Sequence, residues 1–361
     1  MGRSALQSAA CFLGICLTCC ATPQLQTPGP ASADIEREAE LQRKFAFEHA
    51  RDEQLRVLTT GYRLTTAAAD LCGTNVTGAA GFFVWSARNF TGDEEKLARR
   101  AYGIHDGYSV LAVVPGSPAA EAGLHPGDRV VSVDGVATPE ATRASLQAMR
   151  DHAKDAFQKK RSLSVNVVRD GMSYTLPIAL VPACDYQPGV VKSDIVNAYA
   201  DGNQIFVTTG MMNFVRSDEE LALVLGHELS HNFLGHLQAQ RTNRIIGTGA
   251  GLLADVLIIA ATGVNPGLTR AGGNAGSLVF SVAFEQEADY AGLYVMRRAG
   301  FEIEGVSEFW RRMALDNAKQ IQTPTDHPPS AERFVALEQA VEEIKAKEAQ
   351  HEPLKPNLKK R

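Results

Sequence analysis

One short motif near the middle of the chain limits the local fold more than any other feature of the sequence. The run from His227 to His231 is HELSH, with Glu228 directly after the first histidine. Side chains four residues apart lie on one face of an α-helix, so both imidazoles can bind one metal ion if this segment is helical. The motif therefore predicts a helix that carries half of a metal site.

The residues around the motif also predict a helix. Ser217 and Glu220 have the spacing of a capping box, which satisfies backbone N–H groups at a helix start. Apolar residues then recur at every fourth position, as expected of a buried helix face: Leu221, Leu225, Leu229 and Phe233. The alternative is a chance match on a buried helix, and a third ligand elsewhere in the chain would separate the two.

The third ligand has to come from another segment, because a catalytic zinc site usually has three protein ligands and leaves the fourth position to water. A histidine at the metzincin spacing is excluded, since positions 234 and 237 are both leucine. His236 comes one residue too early for that face and is a helix-end residue or a partner of a ligand. The alternative is a glutamate from a separate helix. Glu285 is such a candidate, and Asp289 four residues later could support a ligand histidine from the same helix face.

Other residues near Glu285 fit this arrangement. The small side chains of Ala288 and Ala291 would let their helix come close to the HELSH helix. Glu287 lies on a different face, where we expect a solvated charge.

Four short segments follow one another along residues 197–333. They are NAYA at 197–200 with QIFVTTG at 204–210, HELSH at 227–231, EQEAD at 285–289, and DHPPSAER at 326–333. In this order they resemble the gluzincin metallopeptidases of the HtpX, CAAX prenyl endopeptidase and BepA–Loi kind, with the soluble envelope members as the best fit. Residues 197–210 are similar to that family's edge strand and following hairpin.

The resemblance implies a zinc peptidase site with one Zn²⁺ ion per chain. The implied residues are the ligands His227, His231 and Glu285, the catalytic base Glu228, the supporting Asp289, and Asn197 and His327 beside the metal. The last two would hold substrate or stabilise the oxyanion, and in some relatives the matching histidine occupies the open metal position. Substrate would lie extended beside the strand at 204–209, because strand addition satisfies backbone groups whatever the side chains are. Arg333 is expected to be a structural ion-pair partner.

A second unit precedes these motifs. Residues 108–114 alternate as a strand does, SPAAEAG follows at 117–123, and PGDRVVSVDG occupies 126–135. This pattern resembles a PDZ domain of the bacterial protease-associated type. We expect a short helix after Ser117 with Pro118 in its first turn, a helix end at Gly123, and a tight turn at Asp134–Gly135. A second helix near 141–159 and strands near 163–169 and 174–180 would complete the domain.

The PDZ resemblance implies a peptide-binding loop at Tyr102, Gly103 and Ile104. Its backbone N–H groups would bind the carboxylate at a peptide C-terminus. A spacer or regulatory PDZ domain without a peptide ligand is the alternative.

The N-terminus has the features of an export signal. A short apolar stretch follows Arg3, too short for a membrane span and typical in length of a signal peptide. It ends at Leu17-Thr18-Cys19-Cys20, which resembles an imperfect lipobox that would leave a lipid on Cys20; cleavage at a small-residue site around Ala21 is the alternative. The polar tract that follows would suit a tether and favours the lipoprotein. The formal net charge of −5 gives no support for nucleic-acid binding.

Export would also determine whether the cysteines can form disulfides. The chain has six, and four of them lie within the predicted signal, which leaves Cys72 and Cys184 on either side of the PDZ unit. In an oxidising compartment this pair could close a disulfide, and two unrelated buried thiols are the alternative.

The sequence therefore predicts an α+β protein with a mainly helical, zincin-type metallopeptidase domain, a small β-sheet and a PDZ domain, the last a barrel-like sandwich with two helices. An apolar segment at 245–264 is expected to be a buried helical hairpin or a lid, with membrane-surface contact as the alternative. The predicted boundaries are 1–20 signal, 21–33 linker, 34–72 one or two N-terminal helices, 82–182 PDZ domain, 185–350 metallopeptidase domain and 351–361 disordered tail.

The predicted function is hydrolysis of misfolded or stalled proteins of the cell envelope, in the periplasm, by a protein that an N-terminal lipid could hold at the membrane. The competing class is an envelope chaperone or assembly factor whose zinc is silenced by His327. An intramembrane protease would need several spans that the sequence does not offer.

Overall fold

The computed structural model describes residues 29–138, 140–242, 268–317 and 331–359. They belong to two units, 1–44 and 45–361. Helix α1, Ser32–Ala67, begins in the first unit and ends in the second. The segment at 34–72 therefore forms one long helix, followed by a 3₁₀ turn at Ala69–Leu71.

The remaining elements alternate between strands and helices. The strands are β1 (Val76–Ala79), β2 (Phe82–Trp85), β3 (Tyr108–Val113), β4 (Arg129–Val133), β5 (Val136–Ala137), β6 (Ser162–Arg169), β7 (Met172–Ala179), β8 (Val181–Cys184), β9 (Gln187–Val191), β10 (Ala198–Ala200) and β11 (Gln204–Thr208). The helices after α1 are α2 (Gly92–Tyr102), α3 (Pro118–Glu121), α4 (Arg143–Lys159), α5 (Thr209–Phe214), α6 (Asp218–Phe233), α7 (Leu268–Arg298), α8 (Val306–Asn317) and α9 (Ala331–Ala349).

The PDZ unit is an antiparallel sheet with helices packed on it. Its strand order is β2-β3-β4-β6-β7, with β5 paired to β4, so β2 stands at one end of the sheet. The Ser117 hydroxyl accepts the N–H of Ala120 at the start of α3. Asp134 and Gly135, at φ of 51° and 78°, make the tight turn between β4 and β5. Both features agree with the sequence pattern, because each depends on residues that are adjacent in the chain.

A narrow neck joins the PDZ unit to the rest of the chain. Strands β1 and β8 pair antiparallel, with Val76 opposite Cys184. A disulfide between Cys72 and Cys184, with a Cα–Cα distance of 5.7 Å, lies at the outer end of this ladder. The PDZ unit is therefore an insertion whose first and last residues are held together.

The metallopeptidase part consists of a three-stranded sheet covered by helices. The strand order is β10-β11-β9, with β10 antiparallel and β9 parallel to β11. Ile205 and Val207 of β11 share one core with Leu225 of α6 and with Val57 and Leu64 of α1. The end of α1 thus packs in the metallopeptidase core.

The sheet order makes the predicted position of the substrate wrong. Strand β11 holds most of residues 204–209, but it lies between β10 and β9, so neighbouring strands occupy both of its edges. The end strands of this sheet are β10 and β9. The sequence identified the hairpin, but the pairing partners of one strand depend on the whole fold.

The C-terminal residues 351–359 also differ from the predicted disordered tail. They form no regular element, yet Leu354 packs against the metallopeptidase core. The backbone N–H of Asn357 donates to the Tyr290 hydroxyl at 3.0 Å, and its side-chain amide donates to Glu343 at 2.9 Å. Specific contacts therefore hold a segment whose composition alone suggests disorder.

No helix in the described parts of the chain is long and apolar enough to cross a membrane. The predicted signal at 1–20, Cys20, and the apolar segment at 245–264 all lie outside the described residues.

Candidate metal centre

Helix α6 begins where the sequence places it. The Ser217 hydroxyl accepts the N–H of Glu220 at 3.3 Å. The carboxylate of Glu220 does not complete the capping box: it accepts the N–H of Arg216 at 2.7 Å and binds the guanidinium of Arg312 at 2.8 Å. The apolar positions Leu221 and Leu225 are fully buried, and every residue from 221 to 232 lies in the interior.

The two histidines of the motif meet inside the protein. His227 and His231 are 1% and 5% exposed, and their Nε2 atoms lie 3.0 Å apart. Glu285 of α7 completes the group, with Oε2 at 3.3 Å from Nε2 of His227 and Oε1 at 3.3 Å from Nε2 of His231. One donor atom from each of the three residues lies within 4.8 Å of the others. Two imidazole nitrogens and one carboxylate are a donor set that zinc commonly takes in catalytic sites.

Helices α6 and α7 come close enough to share this site because two glycines meet between them. A Cβ atom on Gly226 would lie 3.2 Å from the carbonyl oxygen of Gly292, and one on Gly292 would lie 3.1 Å from the backbone of Gly226. Ala288 and Ala291 are buried, as their proposed role in helix packing requires. The glycine pair, which the sequence pattern did not single out, lies where the two backbones meet.

A buried acid and a buried arginine lie behind His227. Nδ1 of His227 is 2.8 Å from Oδ1 of Asp289. The guanidinium of Arg333 donates to both oxygens of Asp289, at 2.8 and 3.0 Å, and its Nη1 lies 3.1 Å from Oε2 of Glu285. Arg333 is thus an ion-pair partner, as the sequence suggested, and it contacts both Glu285 and the acid beside His227.

The electrostatics of the site favour a cation. Burial alone would lower the pKa of His227, but Glu285 and Asp289 outweigh burial and raise it to about 10. Burial would raise the pKa of Asp289, yet the hydrogen bond from His227 and the charge of Arg333 lower it. Buried carboxylates therefore hold a proton on the imidazole, and a metal ion would supply the same positive charge at Nε2.

The remaining predicted site residues have different surroundings. Glu228 is 3% exposed and sits in α6 directly after His227. Asn197 lies just before β10, where its N–H donates to the Thr208 hydroxyl and its carbonyl accepts the N–H of Thr208. His327 lies outside the described residues.

The predicted PDZ loop is wrong in position. Tyr102 is the last residue of α2, Gly103 caps that helix at a φ of 61°, and Ile104 is buried. The N–H groups of Gly103 and Ile104 both donate to the carbonyl of Ala98, so they are already used in ending the helix. These residues lead into the inner strand β3, whereas a peptide-binding loop leads into an edge strand.

The PDZ unit does have a groove, and it lies beside β2. A cavity of about 1080 Å³ is lined by Phe82 and Val84 of β2, by Leu146 and Met149 of α4, and by Phe206 of β11. Gly81 precedes β2 at a φ of 82°, the conformation that glycine adopts without strain. The missed signal is the GFFVW run at 81–85, a glycine followed by an apolar strand.

Comparison with known proteins agrees with both parts of the fold. Residues 172–341 match the model of Peptidase family M48, and residues 109–154 match that of a PDZ domain. The chain is 31% identical over 147 residues to the Beta-barrel assembly-enhancing protease of Yersinia pestis, covering 38% of this chain and 30% of that protein. It is 32% identical over 145 residues to Metalloprotease LoiP of Escherichia coli, covering 38% of this chain and 56% of that protein.

A mitochondrial protein matches over a segment of similar length. The Mitochondrial metalloendopeptidase OMA1 of Schizosaccharomyces pombe is 29% identical over 163 residues, covering 44% of this chain and 47% of that protein. The chain thus covers less than two thirds of the length of each of these relatives. The solved HtrA-type protease AlgW with decapeptide is 22% identical and covers 30% of this chain and 30% of that chain, with a TM-score of 0.23.

Fold and site together define a class, a helical metallopeptidase domain joined to a PDZ domain. Residues 172–341 match the model of peptidase family M48, and the similarity to the assembly-enhancing protease and to LoiP agrees with the BepA–Loi resemblance seen in the sequence.

Proposed function

We propose that this protein is a zinc-dependent endopeptidase with Glu228 as its general base. The observation that carries the proposal is the convergence of three buried donor atoms, two from α6 and one from Glu285 of α7. Zinc bound there would polarise a peptide carbonyl and lower the pKa of a bound water to near neutrality.

The residues around the metal position have two roles, proton transfer and support of the metal-binding side chains. Glu228 is buried in the same helix as both histidines, so its carboxylate can accept a proton from the attacking water and donate it to the leaving amine. Asp289 and Arg333 hold His227 and Glu285 in place. This support keeps the donor atoms in position through the reaction.

The substrate class follows from the end of the three-stranded sheet. We propose that an extended segment adds to the outer edge of β10, where main-chain hydrogen bonds give affinity for any sequence. Ile195, just before β10, and Tyr199, within it, are 60% and 38% exposed, so both offer apolar surface to substrate side chains. Folded proteins have few unpaired strands, so the proposed substrates are unfolded or misassembled proteins.

The proposed location is the cell envelope. The predicted signal at 1–20 supports it, and so does the likeness to a protein named for β-barrel assembly. Within the PDZ unit we propose that the groove between β2 and α4 binds a peptide segment of the substrate or of a regulator.

Metal content and cleavage of gelatin test the enzymatic proposal together. Wild type should hold one zinc ion per chain and produce fragments that a chelator abolishes. Glu228→Gln should keep the zinc and lose cleavage, whereas Glu285→Ala should lose both. Glu219→Gln, a change in the first turn of α6 outside the metal group, is the matched control and should keep both.

Two results would contradict the proposal. One is undiminished proteolysis by Glu228→Gln. The other is suppression of aggregation without fragments and without sensitivity to a chelator, which would favour an assembly factor over an enzyme.

A further inference from the structure

His236 lies against the ligand His231 on the side away from the metal position. It is 2% exposed, and its Nδ1 is 3.0 Å from Nδ1 of His231. Its ring stacks on Phe284, with centroids 4.6 Å apart and an interplanar angle of 23°. The carboxylate of Glu287 approaches the far nitrogen, Nε2, at 3.4 Å. The ring is therefore fixed between a ligand and an acid on α7.

The contact between the two rings restricts where their protons can lie. Nε2 of His231 faces the other donor atoms of the metal group, so it has to be free of a proton to bind a metal. The proton of a neutral His231 then sits on Nδ1 and can be donated to Nδ1 of His236. His236 in turn carries its own proton on Nε2, the nitrogen that faces Glu287.

This arrangement parallels the support of the other ligand histidine. Nδ1 of His227 faces Asp289, which Arg333 holds, and Nδ1 of His231 faces His236, which Glu287 approaches. Each ligand imidazole therefore has an acceptor for its outer proton, one a buried carboxylate and the other an imidazole. Such partners fix the tautomer and the ring orientation of a metal ligand.

We propose that His236 is a positioning residue that holds His231 with its Nε2 toward the metal, and that Glu287 fixes His236 in turn. The proposal rests on the zinc site proposed above. It also assigns a role to Glu287, for which the sequence suggested only a solvated charge. Its side chain is 46% exposed, yet it faces a buried ring.

Packing alone does not account for His236. An apolar side chain would fill the same space without burying two ring nitrogens, which cost free energy unless they are paired. Among the described residues Nε2 of His236 has no partner at normal hydrogen-bond geometry, and the carboxylate at 3.4 Å is the group that faces it. A polar ring in this place is explained by what it does for His231.

Zinc affinity, measured by competition with a chromophoric chelator, tests the proposal without reference to catalysis. His236→Leu removes the acceptor and should weaken zinc binding about 10–100-fold. His236→Asn places an oxygen near the position of Nδ1 and should restore most of the affinity. Glu287→Ala should weaken binding less than His236→Leu, and His125→Leu, an exposed histidine of the PDZ unit, should leave it unchanged.

The absorption spectrum of the Co²⁺-substituted protein gives a readout that a packing defect would not move. The ligand-field bands should change in His236→Leu and return toward wild type in His236→Asn. Wild-type affinity and an unchanged spectrum in His236→Leu would overturn the proposal. If His236→Leu does not fold, Glu287→Ala, a change at a half-exposed position, is the deciding variant. Wild-type zinc affinity and an unchanged Co²⁺ spectrum in Glu287→Ala would then overturn the proposal. Absence of zinc binding by wild type would instead refute the proposed function itself.

Discussion

Replacing Arg333 by methionine removes the cation that two buried acids share. The side chain is 3% exposed, its guanidinium lies 2.8–3.1 Å from oxygens of Asp289 and Glu285, and it sits 5.1 Å from the centre of the Trp310 ring. Methionine keeps most of the side-chain length and the contact with the ring, but it removes the charge and the N–H donors. The variant therefore isolates the electrostatic contribution of Arg333.

The expected cost is large because the partners stay buried. Removing one member of a buried ion pair costs about 3–5 kcal/mol in unfolding free energy, since the other charge is left uncompensated. Without metal, Asp289 and Glu285 would both lose this partner, so the cost should lie in that range. With zinc bound, Glu285 keeps a cation beside it and the cost should be smaller.

Urea unfolding followed by tryptophan fluorescence measures this difference near the site. The chain has two tryptophans, and a Trp85→Phe background leaves Trp310, whose ring Arg333 covers, as the probe. Arg311→Met is the control, because its ion pair with Glu338 is exposed and is expected to contribute about 0–1 kcal/mol. Equal losses in Arg333→Met and Arg311→Met without metal would refute the argument.

Three further predictions follow from the structure. Without metal, the unfolding free energy should fall by up to about 1.4 kcal/mol per pH unit between about pH 6.5 and 10. The reason is that Glu285 and Asp289 outweigh burial and raise the pKa of His227, so in this range the folded state keeps a proton that the unfolded state loses. Urea titrations across this range should show the fall, and excess zinc should remove it. Cys184→Ser should lower the unfolding free energy by about 2–5 kcal/mol, because it opens a loop with a sequence separation of 112. In thermal unfolding, a reductant should destabilise wild type by the same amount as the substitution does. Gly226→Ala should cost about 1–3 kcal/mol and weaken zinc binding, because its Cβ would press on the backbone of the facing helix, whereas Gly189→Ala, with open space at its Cβ, should change neither.

The parts of the fold that depend on neighbours in the chain could be predicted from the sequence. Helix α6 follows from a capping serine and a four-residue apolar repeat, and the turn at 134–135 follows from its Asp-Gly pair. The grouping of His227, His231 and Glu285 was also predicted, because HELSH and the later EQEAD segment both have helical spacing and occur in an order that resembles a known metallopeptidase family.

The parts that depend on distant segments could not. The order of strands in a sheet is not encoded in any single strand, so the sequence placed the substrate beside β11, a strand with neighbouring strands on both edges. Helix α2 separates the edge strand β2 from β3, and this insertion moved the predicted peptide loop to Tyr102–Ile104. For His236 and Arg333 the sequence suggested a general role but not the partner, and the contacts with His231 and Asp289 are seen only in three dimensions.

The bond between Cys72 and Cys184 has a consequence for the fate of a damaged molecule. Every peptide bond of the PDZ unit lies between these two cysteines. A single cut there, by another protease or by a second copy of this chain, would leave two pieces that travel together until a reductant separates them. Nicked molecules would therefore show their break on a reducing gel, while a non-reducing gel would show one covalently joined species.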